Sequence, residues 1–275
     1  MSANRQNYYE CARVRIRAAA LATLVVATAV LAESGAAQDF TPARNRHGQP
    51  DFEGIWQALD GAPHFNIEPH GASYGVPAGL GIVTDPADGR IPYTAAGLAK
   101  REANRANRAA DPFARCYKPG VPHLMYLPFP LQIVQSKDFL TIMSEYMHNT
   151  RFVFFNRSDH FGEGELDLWN GDSVGRFDGD SLVTEVFNFH PDIWLDRSGN
   201  HAGGATLTVE ERFTLIDADT IRYRATLTDA EDFTRPWSIE TYLYRHKDPA
   251  KQILEYECHA YADNALGPPR LPEVP

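Results

Sequence analysis

Cysteine is scarce in this chain, with three in 275 residues. That excludes the disulfide-dense scaffold of a small secreted module. Cys-x-x-Cys, His-Glu-x-x-His and His-x-His are all missing, so no metal site is expected. Gly-Lys-Ser/Thr and Gly-x-Gly-x-x-Gly are missing too, which argues against a phosphate loop and leaves no organic cofactor to expect. The glycines of Gly171-Asp172-Ser173-Val174-Gly175 read as hairpin chemistry, and no nucleophile elbow is expected there. Positive charge is in deficit: 26 Lys and Arg face 36 Asp and Glu, for a net charge of −10. Such a surface repels phosphate backbones and anionic lipid heads, so nucleic acid is a poor partner.

Only one long uncharged apolar run is present, Ala18 to Ala32. At 15 residues it is shorter than the roughly 18 to 20 that span a bilayer. Arg5, Arg13, Arg15 and Arg17 precede it, and the small residues Ser34 to Ala37 follow. This order reads as a signal peptide over residues 1–37, cut between Ala37 and Gln38, and places the chain in the periplasm or outside the cell. The remainder carries 22 basic and 34 acidic side chains, a net charge of −12, with no second segment for membrane insertion. Cys116 and Cys258 remain after the cut. In an oxidising compartment they are either a bridge or two separately buried thiols.

Residues 38–130 read as an irregular, proline-punctuated segment. Pro50 to Gln57 holds a short strand packing Phe52 and Trp56, and Leu59 to Ile91 reads as a long loop. Thr94 is a good N-cap for a surface helix over Ala95 to Ala110. From Pro130 the pattern changes to β-branched and aromatic alternation. Strands are expected over 131–135, 139–148, 151–156, 167–170, 173–177, 182–189, 206–215, 221–228, 237–245 and 253–261. Short links imply antiparallel neighbours, and closing the sheet removes its edges. The expected fold is therefore all-β: an antiparallel meander over 131–262 closed into a lipocalin-like barrel, with a two-sheet sandwich as the alternative and a Pro-rich tail over 263–275. Gly54-Ile55-Trp56 approximates the Gly-x-Trp of lipocalins and puts Trp56 near the barrel base.

The long connection from His190 to Gly204 is the natural place for chemistry, as a flap over a barrel mouth. His201 oriented by Asp196, or His190 by Asp192, forms a candidate acid/base pair. The competing structural reading has Asp196 capping the turn and Arg197 pairing with a neighbour. Glu211 shares its strand face with Leu207, Val209, Phe213 and Leu215, and Glu145 shares one with Met143 and Met147. A carboxylate among apolar side chains must be paired or carry a raised pKa, and Arg151, Arg212, Arg222 and Arg224 are the available partners. The catalytic candidates are thus His201, Asp196, Glu145, Glu211 and Arg151. Trp194, Tyr146, Trp169, His190 and Arg197 are candidates for binding a small apolar or aromatic molecule. Two functions stand open: such a binder, or a cofactor-independent lyase, isomerase or hydrolase working by proton transfer in the barrel cavity.

Three blocks carry a resemblance: Arg115-Cys116-Tyr117-Lys118-Pro119-Gly120-Val121-Pro122, the run Trp169 to Val183, and Trp194-Leu195-Asp196-Arg197-Ser198-Gly199-Asn200-His201. Over roughly residues 48–261 the chain resembles a large group of exported bacterial proteins of unassigned function. The resemblance implies export but brings no activity with it.

Overall fold

The computed structural model describes residues 40–162 and 166–259, so the segments read as a signal peptide and a Pro-rich tail lie outside the described residues. Ten strands form one sheet: β1 (Gly54–Gln57), β2 (Val83–Asp85), β3 (Leu131–Gln135), β4 (Phe139–Ser144), β5 (Thr150–Phe154), β6 (Asp172–Asp178), β7 (Ser181–Phe187), β8 (Thr208–Asp217), β9 (Thr220–Thr228) and β10 (Trp237–Arg245). Strands β3 to β10 pair in sequence order. β1 pairs with β3 on one edge and with β10 on the other, through Trp56↔Arg245 and Gln57↔Tyr244. The result is a closed nine-stranded barrel, with β2 added outside on the other end of β10. Thr94 caps α2 (Ala95–Ala106), accepting from Gly97 N at 3.0 Å, and a shorter helix, α1 (Ala62–Phe65), lies in the long loop.

Four expectations change. The barrel begins at Gly54, within the segment read as irregular. The meander is not antiparallel throughout, because β5 and β6 run parallel, with Val153↔Ser173 and Phe154↔Val174 in register. Their connection, residues 155–171, is long enough to carry the chain back to the starting end, as parallel pairing requires. Residues 167–170 contribute only the bridge Leu168↔Phe189. The segment after Ile253 makes one bridge, Tyr146↔Tyr256, and is not a barrel strand. β1 and β2 already occupy the free edge of β10, so no ladder remains for it.

Alternation on β8 and β9 sends Val209, Glu211, Phe213 and Leu215, and then Ile221, Tyr223, Ala225 and Leu227, into a common interior. Trp56 is fully buried in the core. Its Nε1 donates to Phe52 O at 2.9 Å, and the Arg245 guanidinium lies 4.1 Å from its ring centroid. Gly54 adopts φ +139°, a backbone conformation that L side chains rarely take and that favours glycine here.

The interior is filled. Trp56, Tyr126, Glu211, Tyr223 and Trp237 are each fully buried, and Phe213 is 1% exposed. A side chain bordering a water-sized hollow would keep accessible surface, and these do not. The expected cavity inside the barrel is therefore absent around these residues.

Cys116 and Cys258 form a disulfide, with Cα atoms 5.5 Å apart and a sequence separation of 142. It fastens the C-terminal segment to the region before β3. Replacing both by Ser should lower unfolding stability by about 2–4 kcal/mol. Urea denaturation of the double variant measures this, and an unchanged midpoint would show that the bridge adds nothing.

Candidate functional site

The connection between β7 and β8 is packed as part of the core. Ile193, Leu195, Ala202 and Leu207 are all fully buried and belong to the hydrophobic cluster. Tyr126 donates its hydroxyl to Leu195 O at 2.6 Å, and Trp194 bridges to His201 across a tight hairpin. The expected flap is thus a plug, held by apolar burial that a lid could not give up on each opening.

Asp196 does not orient His201. Its carboxylate accepts from Ile67 N (2.9 Å), Ser198 N (2.8 Å), Ser198 Oγ (2.7 Å) and Asn200 Nδ2 (2.8 Å), which is the turn-capping arrangement. Burial raises its pKa to about 6 against these hydrogen bonds. His201 instead docks α2. Its Nε2 donates to Gly97 O at 3.0 Å, and its ring stacks on Tyr93 at 5.2 Å. Its Nδ1 lies 3.2 Å from the Asp232 carboxylate without a hydrogen bond, and burial lowers its pKa. Gly97 must be glycine, since a Cβ would strike the Asp232 carbonyl.

Glu211 and Glu145 are far apart in role. Glu211, inside the barrel, is bonded bidentately by Arg151, with Nη1 to Oε1 at 2.9 Å and Nη2 to Oε2. Tyr223 donates to the same carboxylate at 2.8 Å, and so does Thr184. Arg151 also donates to Ser173 Oγ at 3.1 and 2.9 Å. Ser173 is therefore a strand residue pointing inward, although its glycine neighbours have the Gly-x-Ser-x-Gly spacing. Glu145 lies outside and accepts from Leu254 N at 2.8 Å.

Two histidines escaped the sequence reading. His64 Nδ1 lies 3.1 Å from His123 Nε2, and His123 Nδ1 lies 3.0 Å from Trp194 O. A carbonyl only accepts, so His123 carries its proton on Nδ1 and His64 donates to His123 Nε2. Burial lowers the His64 pKa to about 2, helped by His123 and Arg197, and lowers that of His123 to about 4 against its bond to Trp194 O. Each follows a proline in an apolar stretch of the irregular segment, and only that hint marked them.

Trp169, His190 and Trp194 do converge. With Asn104, Arg115, Tyr117 and Asp192 they line a surface cleft of about 390 Å³. The rings run nearly parallel: Trp169 lies 4.2 Å from His190 at 10° and 5.0 Å from Tyr117 at 19°. The Arg115 guanidinium sits 5.4 Å from the Tyr117 centroid. Asp192 N donates to His190 Nδ1 at 3.2 Å, so the two residues pair through backbone and not through a carboxylate–imidazole contact. Gly120 (φ +74°) passes beneath, where a Cβ would meet Trp169 O at 2.7 Å. Tyr146 and Arg197 stand behind the wall. Both contact Phe113, the neighbour of cleft residue Pro112: Tyr146 stacks at 4.4 Å, and Arg197 lies 6.0 Å from the ring and pairs with Asp111 at 3.3 Å. No protein-family model and no curated protein matches the chain.

Two tests follow from these buried groups. Arg151→Met or Glu211→Gln alone strands a polar or charged partner in the barrel and should cost about 3–5 kcal/mol. The double change should cost less than the sum of the two, and strict additivity in urea denaturation would break the pairing. The histidines set an acid window. Above the ordinary histidine value of 6.5 they are neutral folded and unfolded; below it only the unfolded chain takes up protons, until about pH 4 for His123 and lower for His64. Asp196 opposes this, since its contribution is full below 3.8 and lost as pH rises through about 6. Two larger shifts outweigh one, so the unfolding midpoint should fall from about pH 7 to about pH 4.5. His64→Gln should make that fall shallower, and an unaltered slope would contradict the assignment.

Proposed function

We propose that the protein is an exported binder of a small aromatic molecule, and that the ligand occupies the Tyr117–Trp169–His190–Trp194 cleft on the outside of the barrel. One observation carries this reading. The three sequence blocks that carry the resemblance begin at Arg115, Trp169 and Trp194, and all three residues line this one cleft. The stacked aromatic side chains give the cleft a preformed apolar wall for a planar ligand. Arg115 and Asp192 put one charge of each sign on the rim. That suits a ring with a polar or anionic substituent, which Arg115 would orient. The catalytic candidates His201, Asp196, Glu145, Glu211 and Arg151 do not line the cleft, so proton-transfer catalysis has less support than binding. Export is supported by the leader-like first 37 residues and by the Cys116–Cys258 bridge.

The aromatic anion 8-anilino-1-naphthalenesulfonate is a direct probe, read by its own emission and by quenching of Trp169 and Trp194. Saturable binding is expected. Trp169→Ala should weaken it about tenfold, the equivalent of one lost stacking contact. Equal affinity in that variant would place the ligand elsewhere.

A further inference from the structure

The segment after β10 returns along the outside of the barrel as a strap. Tyr256 bridges to Tyr146, with ring centroids 5.3 Å apart, and packs on Phe129 at 5.1 Å. Leu254 N is held by Glu145, and Cys258 is held by Cys116. In this extended run Glu255 and Glu257 are two residues apart and reach the same side, toward the turn between β4 and β5. His148 stands on that turn. Its Nε2 lies 3.1 Å from Glu257 Oε1. One donor atom from each of His148, Glu255 and Glu257 lies within 4.8 Å of the others, and His148 and Glu255 line a surface hollow of about 340 Å³.

We propose that His148, Glu255 and Glu257 bind a divalent transition-metal cation of the zinc class. One imidazole nitrogen and two carboxylate oxygens match the donor chemistry of such an ion, with water completing the shell. For bonds of about 2.0–2.1 Å in a tetrahedron, neighbouring donors stand about 3.3 Å apart. The His148–Glu257 pair already has nearly that spacing, and Glu255 needs to close by little more than about 1.5 Å. Calcium and magnesium fit poorly, because they seek six or more oxygens and this set offers two carboxylates and a nitrogen. The bound ion would tie the strap to the β4–β5 turn independently of the disulfide. The nitrogen and both carboxylates come from segments more than a hundred residues apart, which is why no sequence motif announces the site.

The test is titration of the full chain with zinc chloride by calorimetry, followed by cobalt(II) substitution read in the visible spectrum. One equivalent is expected, with tetrahedral or five-coordinate cobalt bands. His148→Ala should weaken binding by about tenfold or more. Glu257→Gln should also weaken it, and millimolar magnesium or calcium should not compete. His148 is half exposed, and an unchanged near-ultraviolet circular dichroism spectrum would show that its variant folds. Should that spectrum change, Glu255→Gln gives the same reading from the other segment of the site. Absence of saturable zinc binding, or affinity untouched by removing either ligand, would overturn the proposal. So would displacement of zinc by calcium. None of these outcomes bears on the aromatic cleft.

Discussion

A carboxylate sealed inside a closed barrel has to be answered from several directions at once. Glu211 on β8 is answered by Arg151 on β5, Thr184 on β7 and Tyr223 on β9, while Arg151 takes Ser173 on β6 as its further acceptor. Five consecutive strands therefore share one polar node, and it spans the parallel junction between β5 and β6, where the ladder has two registered pairs. Each of these strands must hold a fixed register for the node to be satisfied, since a slip of one residue would send its member to the outer face. Whatever its net contribution to stability, the node selects one arrangement of the sheet over its neighbours.

The same filling leaves the proposed ligand site on the surface of the barrel. Among the described residues, Trp56, Glu211, Phe213, Tyr223 and Trp237 border no water-sized hollow, and much of the long β7–β8 connection is buried as well. What the plug does provide is a rigid back wall. Trp194 leaves it to line the cleft, and its carbonyl ends the histidine pair behind. The aromatic surface of the cleft therefore rests on core structure and not on free loops, an arrangement that keeps the ordering cost of binding low.

Features set by local patterning were legible in the sequence. The bounds of β3 and β10 follow from their alternation, Thr94 announced α2, and parity alone placed Glu211 on the apolar face. Features set by distant segments were not legible. Closure by β1, the outer strand β2 and the parallel β5–β6 junction depend on which edges remain free after the other strands have paired. The cleft draws on residues near 104, 115–117, 169 and 190–194, and no window of sequence holds them together. His201 misled for a related reason. A histidine near an aspartate in a polar loop looks like a dyad, yet four backbone and side-chain donors had already claimed Asp196.

Closure by β1 also bears on how the chain reaches its final form. The first barrel strand to leave the ribosome or a secretion channel is half satisfied by β3, and its other edge waits for β10, nearly two hundred residues later. Until that last strand emerges, the sheet has two open ends. A chain made from its N-terminus thus stays unfinished until its last barrel strand is added. The ring closes only when β10 meets β1, so every shorter intermediate carries two open sheet edges.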